Sequence, residues 1–164
     1  MLFFKNEIKN PVVIPLESWP QPHSISEVLI FASEGELAIR YLVAGGEQAA
    51  LVHFPCISAL KFGAPSNELL MGHPLSKYGL TGYGVHRVNN SIWISELEGR
   101  NSIRPAHDKD RYMGKKAHYV FTFQDSTLEC IANRADYCTP VYRTLSSATE
   151  TRVEWAKLVA QISL

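Results

Sequence analysis

Long apolar runs are missing from this chain of 164 residues. The opening Met1-Leu2-Phe3-Phe4 stops at Lys5, whereas a membrane-spanning helix needs ~20 apolar residues and a secretory signal needs more than four. The expectation is a soluble, cytoplasmic protein without a membrane partner. An excess of either charge is missing too, because Lys and Arg number 16 and so do Asp and Glu. Nucleic acid is therefore not an expected partner, since it calls for a basic excess. The one local basic cluster is Arg111, Lys115 and Lys116. Cysteine is scarce: Cys56, Cys130 and Cys138 are odd in number and have no C-x-x-C spacing. That fits reduced thiols better than a disulfide framework or a zinc knuckle. No low-complexity tract and no internal repeat is visible, and the length suits one domain over 1–164.

Diagnostic motifs are lacking as well. Six histidines include no H-E-x-x-H, no H-x-H and no pair at i, i+4, so no metal site is assigned and the cofactor is unknown. There is no G-x-S-x-G elbow for a serine nucleophile. Gly79, Gly82 and Gly84 resemble a phosphate loop in wrong order and without a βαβ setting, which leaves loop geometry as their reading.

What is present reads as α+β: a mainly antiparallel sheet of about six to eight strands, curled or sandwich-like, with a C-terminal amphipathic helix. Residues 1–26 carry Pro11, Pro15, Pro20 and Pro22 and form a strap, with a short edge strand at Val12-Val13-Ile14 and Trp19 and His23 packed over the body. Apolar runs over 28–32, 36–44, 49–54 and 57–62, separated by Gly- or Pro-containing turns, read as a meander. Residues 63–84 form an irregular excursion over one face, and Val85–Val88 is a strand. Trp93, Ile94 and Leu97 at helical spacing behind Asn90 or Ser91 indicate a short central helix, with a strand over 92–97 as the rival. Residues 100–116 are loop with one turn at Asp108–Tyr112. The helix at 147–163 starts with the capping-box pattern Ser147-x-x-Glu150, with Val153, Ala156 and Ala160 on one side and Trp155, Val159 and Ile162 adjoining.

The clearest element is a hairpin over His118–Ala132. With Asp125-Ser126 as the turn, Phe123 faces Leu128, Phe121 faces Cys130 and Tyr119 faces Ala132, an apolar face in which Cys130 is a packed, unreactive thiol. The opposite face pairs Thr122 with Glu129, Val120 with Ile131 and His118 with Asn133.

That mixed face places a base and an acid on one surface. His73, His118 and Glu129 are the candidate catalytic set, because imidazoles and a carboxylate can exchange protons near neutral pH. Asp108 joins them as a possible helper. His73 precedes Pro74, which pushes its backbone to an extended form. Glu129 is expected on an exposed outer strand face; if covered, its carboxyl needs a partner and its pKa rises. His107, Asp108 and Asp125 are candidate binding residues, although for Asp125 turn chemistry is the favoured reading. The plain reading of each histidine is a loop or partly buried ring satisfied by hydrogen bonds.

Three runs together resemble a family of small bacterial proteins of unassigned activity: Gly72-His73-Pro74-Leu75 with Gly79-Leu80, then Asn90 to Leu97, then His118 to Cys130. The resemblance spans about 62–132 and implies no substrate or reaction. It nominates His73, His107, His118, Asp125 and Glu129. Where its pattern has two further histidines, this chain has Arg104 and Gln124.

The function expected from these features is a small cytoplasmic binding or interaction domain. Its site would lie between the 63–84 loop and the 118–132 hairpin, and its partner would be a small molecule or a protein. One alternative is a metal-assisted or general acid–base hydrolase or lyase using His73, His118 and Glu129. Another is an immunity- or antitoxin-like inhibitor acting through its surface.

Overall fold

The computed structural model describes residues 9–25 and 27–163; the apolar start and the first eight residues of the strap lie outside them. Nine strands among these residues form two antiparallel sheets. One has five strands: β1 (Val12–Pro15), β5 (Ile57–Gly63), β6 (Val85–Asn89), β7 (Lys116–Thr122) and β8 (Thr127–Asn133), in the order β1-β6-β7-β8-β5. The other has four, β2 (Leu29–Ala32), β3 (Leu37–Leu42), β4 (Ala49–Phe54) and β9 (Val141–Leu145), in that spatial order. Three helices complete the fold: α1 (Ile92–Asn101), α2 (Lys109–Gly114) and α3 (Ala148–Ile162). The α+β architecture with a C-terminal helix is the one the sequence implies, and Ser91 rather than Asn90 caps α1. No helix among the described residues is long and apolar enough to cross a membrane.

Alternation builds the core. Leu37, Ile39 and Tyr41 of β3 and Ala50, Val52 and Phe54 of β4 meet Phe121 of β7 and Leu128, Cys130 and Ala132 of β8 between the sheets. Trp19 of the strap closes this layer, its ring 5.5 Å from Tyr119 and 4.7 Å from Tyr142. β2, β3 and β4 form the expected meander, but β5 leaves it after Pro55 and pairs with β8 instead. A long-range partner outcompetes the local one once the chain changes sheets. β9 carries no sequence pattern that marked it, because four of its five residues are exposed.

The hairpin departs from expectation in register. Phe121 pairs with Leu128, Tyr119 with Cys130, Val120 with Glu129 and His118 with Ile131, a shift of two positions. The turn is a four-residue loop closed by Phe123 N–H donating to the Ser126 carbonyl. An even shift preserves parity, so each residue keeps its face.

Three further expectations are corrected. Cys56 and Cys138 form a disulfide, with Cα atoms 5.1 Å apart across a sequence separation of 82, and only Cys130 is free and buried. Spacing in sequence could not anticipate a pair brought together by the approach of two chain segments. On α3, Val153, Ala156 and Ala160 face solvent. The packed stripe is Thr151, Trp155, Leu158, Val159 and Ile162, the bulkier set at helical spacing. The third correction is the covering of the hairpin's mixed face.

Candidate functional site

Outer-face residues of the five-stranded sheet are roofed by the 64–84 excursion and by α1. Leu70, Leu75 and Leu80 of the excursion pack on Val13, Val88 and Val120 of the sheet. The excursion holds two short 3-10 helices, Asn67–Gly72 and Ser76–Tyr78. Its glycines serve close approach: a Cβ on Gly82 would lie 1.9 Å from Asn67 Oδ1, and one on Gly84 2.6 Å from His86 Cε1. His86 itself is fully buried beside it. It is bonded through Nε2 to Thr81 Oγ1 at 2.9 Å, and burial pushes its pKa down despite an opposing contribution from the Val120 backbone.

Under this roof His73, His118 and Glu129 meet. β7 and β8 place His118 and Glu129 diagonally on the same face. His73 ends the first 3-10 helix with φ −70 and ψ 136, the extended form that Pro74 imposes. Glu129 takes one imidazole on each oxygen: His73 Nε2 lies 3.1 Å from Oε1 and His118 Nε2 lies 2.8 Å from Oε2. The outer nitrogens fix the tautomers. Leu75 N–H donates to His73 Nδ1 at 3.1 Å, so the ring hydrogen sits on Nε2. Ser91 Oγ accepts the Ile94 N–H at the start of α1, which frees its hydroxyl to donate to His118 Nδ1 at 2.8 Å. His118 Nε2–H then points to Glu129 in the neutral ring. Trp93 of α1 sets its ring across His118, centroids 5.4 Å apart.

Glu129 is thus covered, with 13 % of its side chain exposed, contrary to the exposed strand residue expected. Its pKa also moves opposite to the covered case envisaged from sequence. Burial pushes it up, but the hydrogen bonds and charges of His118 and His73 outweigh this and hold it at about 2. Two N–H donors aimed at one carboxylate favour its ionised form. Behind it, Cys130 is fully buried with its thiol pKa pushed up by burial and by the neighbouring Glu129 charge.

A cavity of about 170 Å³ opens onto this cluster. His73, His118 and Glu129 floor it; Pro74, Leu75, Tyr78, Ile92 and Trp93 wall it; Lys61 and Glu96 stand at its edge. Sequence reasoning missed Ser91 as a partner of His118, and missed Trp93, Tyr78 and Lys61 altogether as site residues. Only Ser91 had a signal, its helix-capping position, and that said nothing about His118.

The remaining candidates lie elsewhere. His107 Nε2 is 2.8 Å from Glu98 Oε1, and Asp108 caps α2 by accepting the Arg111 N–H. Both line a separate hollow of about 380 Å³ with Arg104, Arg111, Tyr112 and Lys115. Asp108 thus lies apart from the cavity over His73 and His118. Asp125 is exposed in the hairpin loop. Among the described residues no group of three or more His, Cys, Asp or Glu side chains is arranged to hold a metal ion. In the His73–Glu129–His118 cluster the would-be ligand atoms face one another. No family model, curated protein or solved structure matches this chain.

Proposed function

We propose that this chain is a small-molecule-binding domain whose site is the cavity over His73, Glu129 and His118. One observation carries the reading: a largely buried carboxylate and two buried imidazoles form a fully hydrogen-bonded floor beneath apolar and aromatic walls. Small-ligand sites combine a few fixed polar groups with apolar walls in this way. At about 170 Å³ the cavity falls below the ~300–1,000 Å³ of drug-sized sites, so it suits a small ligand or one end of a larger one.

The acid–base enzyme is a second reading, favoured by the continuous chain Ser91–His118–Glu129–His73. It is the weaker of the two for two reasons. A carboxylate held at about 2 stays ionised at neutral pH and is too weak a base to take up a proton there. Each imidazole nitrogen already has a partner, so a substrate would have to break one of those bonds. Ser91 is buried and engaged as a helix cap, which argues against its use as a nucleophile.

Ligand-observed NMR with a fragment library, run on the native chain and on Glu129→Gln, tests the proposal. Hits that displace one another, map to Trp93 and Tyr78 and vanish in the variant support it. Hits that survive in a folded variant, or that map to a flat surface as an inhibitor protein would give, overturn it. For location, the Cys56–Cys138 bridge favours an oxidising compartment over the reducing cytoplasm. Thiol counting after anaerobic lysis separates them: three reactive thiols in the denatured chain mean the reducing cytoplasm, and one means the oxidising side.

A further inference from the structure

The aromatic wall of the cavity already holds a cation. Lys61 Nζ sits 3.9 Å from the centroid of the Trp93 ring, a cation–π distance. Its position is informative because another partner is at hand. Lys61 pairs with Glu129 across the β5–β8 ladder, and its ammonium would ordinarily be drawn to that carboxylate. Both Glu129 oxygens are given to His73 and His118 instead, and Lys61 makes no ion pair with Glu129 or with Glu96. Besides the two imidazoles, the ionisable groups lining the cavity include Lys61, Glu96 and Glu129, so one lysine stands beside two carboxylates. Turned away, Lys61 leaves two carboxylates and an open indole face. β5 is an edge strand and Lys61 is exposed, so its long stem can carry the ammonium into water at little cost. Lys77 stands outside the lining, 5.0 Å over the ring of the second aromatic wall residue, Tyr78. Both aromatic walls therefore present a face that a cation occupies.

Building on the small-molecule reading, we infer that the ligand carries an alkylammonium or guanidinium group, which replaces the Lys61 ammonium over Trp93. Lys61 acts as an internal stand-in for that group. A cation takes up the indole face in a site lined by two carboxylates, whereas an anion would meet Glu96 and Glu129 with one lysine to offset them.

Three probes of similar size, n-butylammonium, butyrate and n-butanol, compared at equal ionic strength, test this. Binding is read from the Trp93 indole N–H shift in nitrogen-labelled protein and from calorimetry. The expected result is that butylammonium alone shifts Trp93. Lys61→Met, which removes the internal competitor and keeps the stem, then tightens amine binding roughly tenfold, and Trp93→Leu weakens it by a similar factor. Trp93→Phe keeps a ring against His118 and is expected to fall between the native chain and Trp93→Leu, which guards against misreading a local collapse. If butyrate or butanol shifts Trp93 as strongly, or if Lys61→Met leaves amine binding unchanged, the cation inference is overturned while the cavity stands as the site. If none of the probes shifts a lining residue, the inference falls, and the binding reading is judged separately by the fragment comparison with Glu129→Gln.

Discussion

The two sheets cover their outer faces in different ways. The four-stranded sheet lays α3, a regular amphipathic helix of 15 residues, over Ala38, Ala49, Leu51 and Leu145, all buried. Arg143 and Glu154 join helix to strand by an exposed ion pair at 2.6 Å. The five-stranded sheet uses short 3-10 helices, α1 and a glycine-rich connection, and keeps two histidines and a glutamate beneath them. A regular helix needs only an apolar stripe and tolerates loose neighbours. An irregular roof must satisfy its backbone and every polar side chain individually, and it leaves gaps where surfaces fail to mesh. The cavity lies in such a gap, which is why the candidate site belongs to this face.

Substitutions can break that contrast or sharpen it. The largest effect is expected on the helix-covered side. Leu51→Ala removes a buried side chain from beneath α3 and should cost about 3–4 kcal/mol by denaturant unfolding. It should leave fragment binding at the cavity untouched, and lost binding would mean that the two faces are coupled.

On the polar side the signature is pH dependence. Glu129 is held at about 2 against its ordinary 4.5, so as pH falls the unfolded chain takes up this proton first. Its stabilisation, on the order of 3 kcal/mol, is fully present above about pH 4.5 and is lost as pH drops toward 2. Comparing unfolding of the native chain with Glu129→Gln across that window should show a gap that closes on acidification, while Leu51→Ala retains the native pH profile. A gap independent of pH would refute the charged Glu129.

The smallest effect compares two serine caps. Ser147 caps α3 by accepting the Glu150 N–H, and Ser147→Ala should cost about 1 kcal/mol. Ser91 caps α1 and also donates to buried His118, so Ser91→Ala should cost roughly 2 kcal/mol. It should also shift the His118 ring resonances. Equal costs would show that the hydroxyl contributes nothing to His118.

Legibility in the sequence followed the same contrast. The faces of the hairpin could be read from alternation, and they survive a two-residue change of register because parity does. His73, His118 and Glu129 were nominated as residues able to exchange protons, and they lie together in the fold. Their environment was not legible. The coverage of Glu129, the tautomers set by Leu75 and Ser91, and the depressed carboxyl pKa all depend on what packs above the sheet. Lys61 gave no sign at all, since its strand was expected to continue the local meander.

The sequence alone determined which residues alternate, where α3 starts, and that His73 leaves its turn extended before Pro74. These rest on short-range sterics and on periods of two and 3.6 residues, which neighbours in the chain decide among themselves. Tertiary structure decided the pairing of β5 with β8, the Cys56–Cys138 bridge, the packed side of α3 and the meeting of two imidazoles on one carboxylate. Each of these is a choice among partners distant in the chain, settled by which surfaces fit once the sheets have closed on a common core.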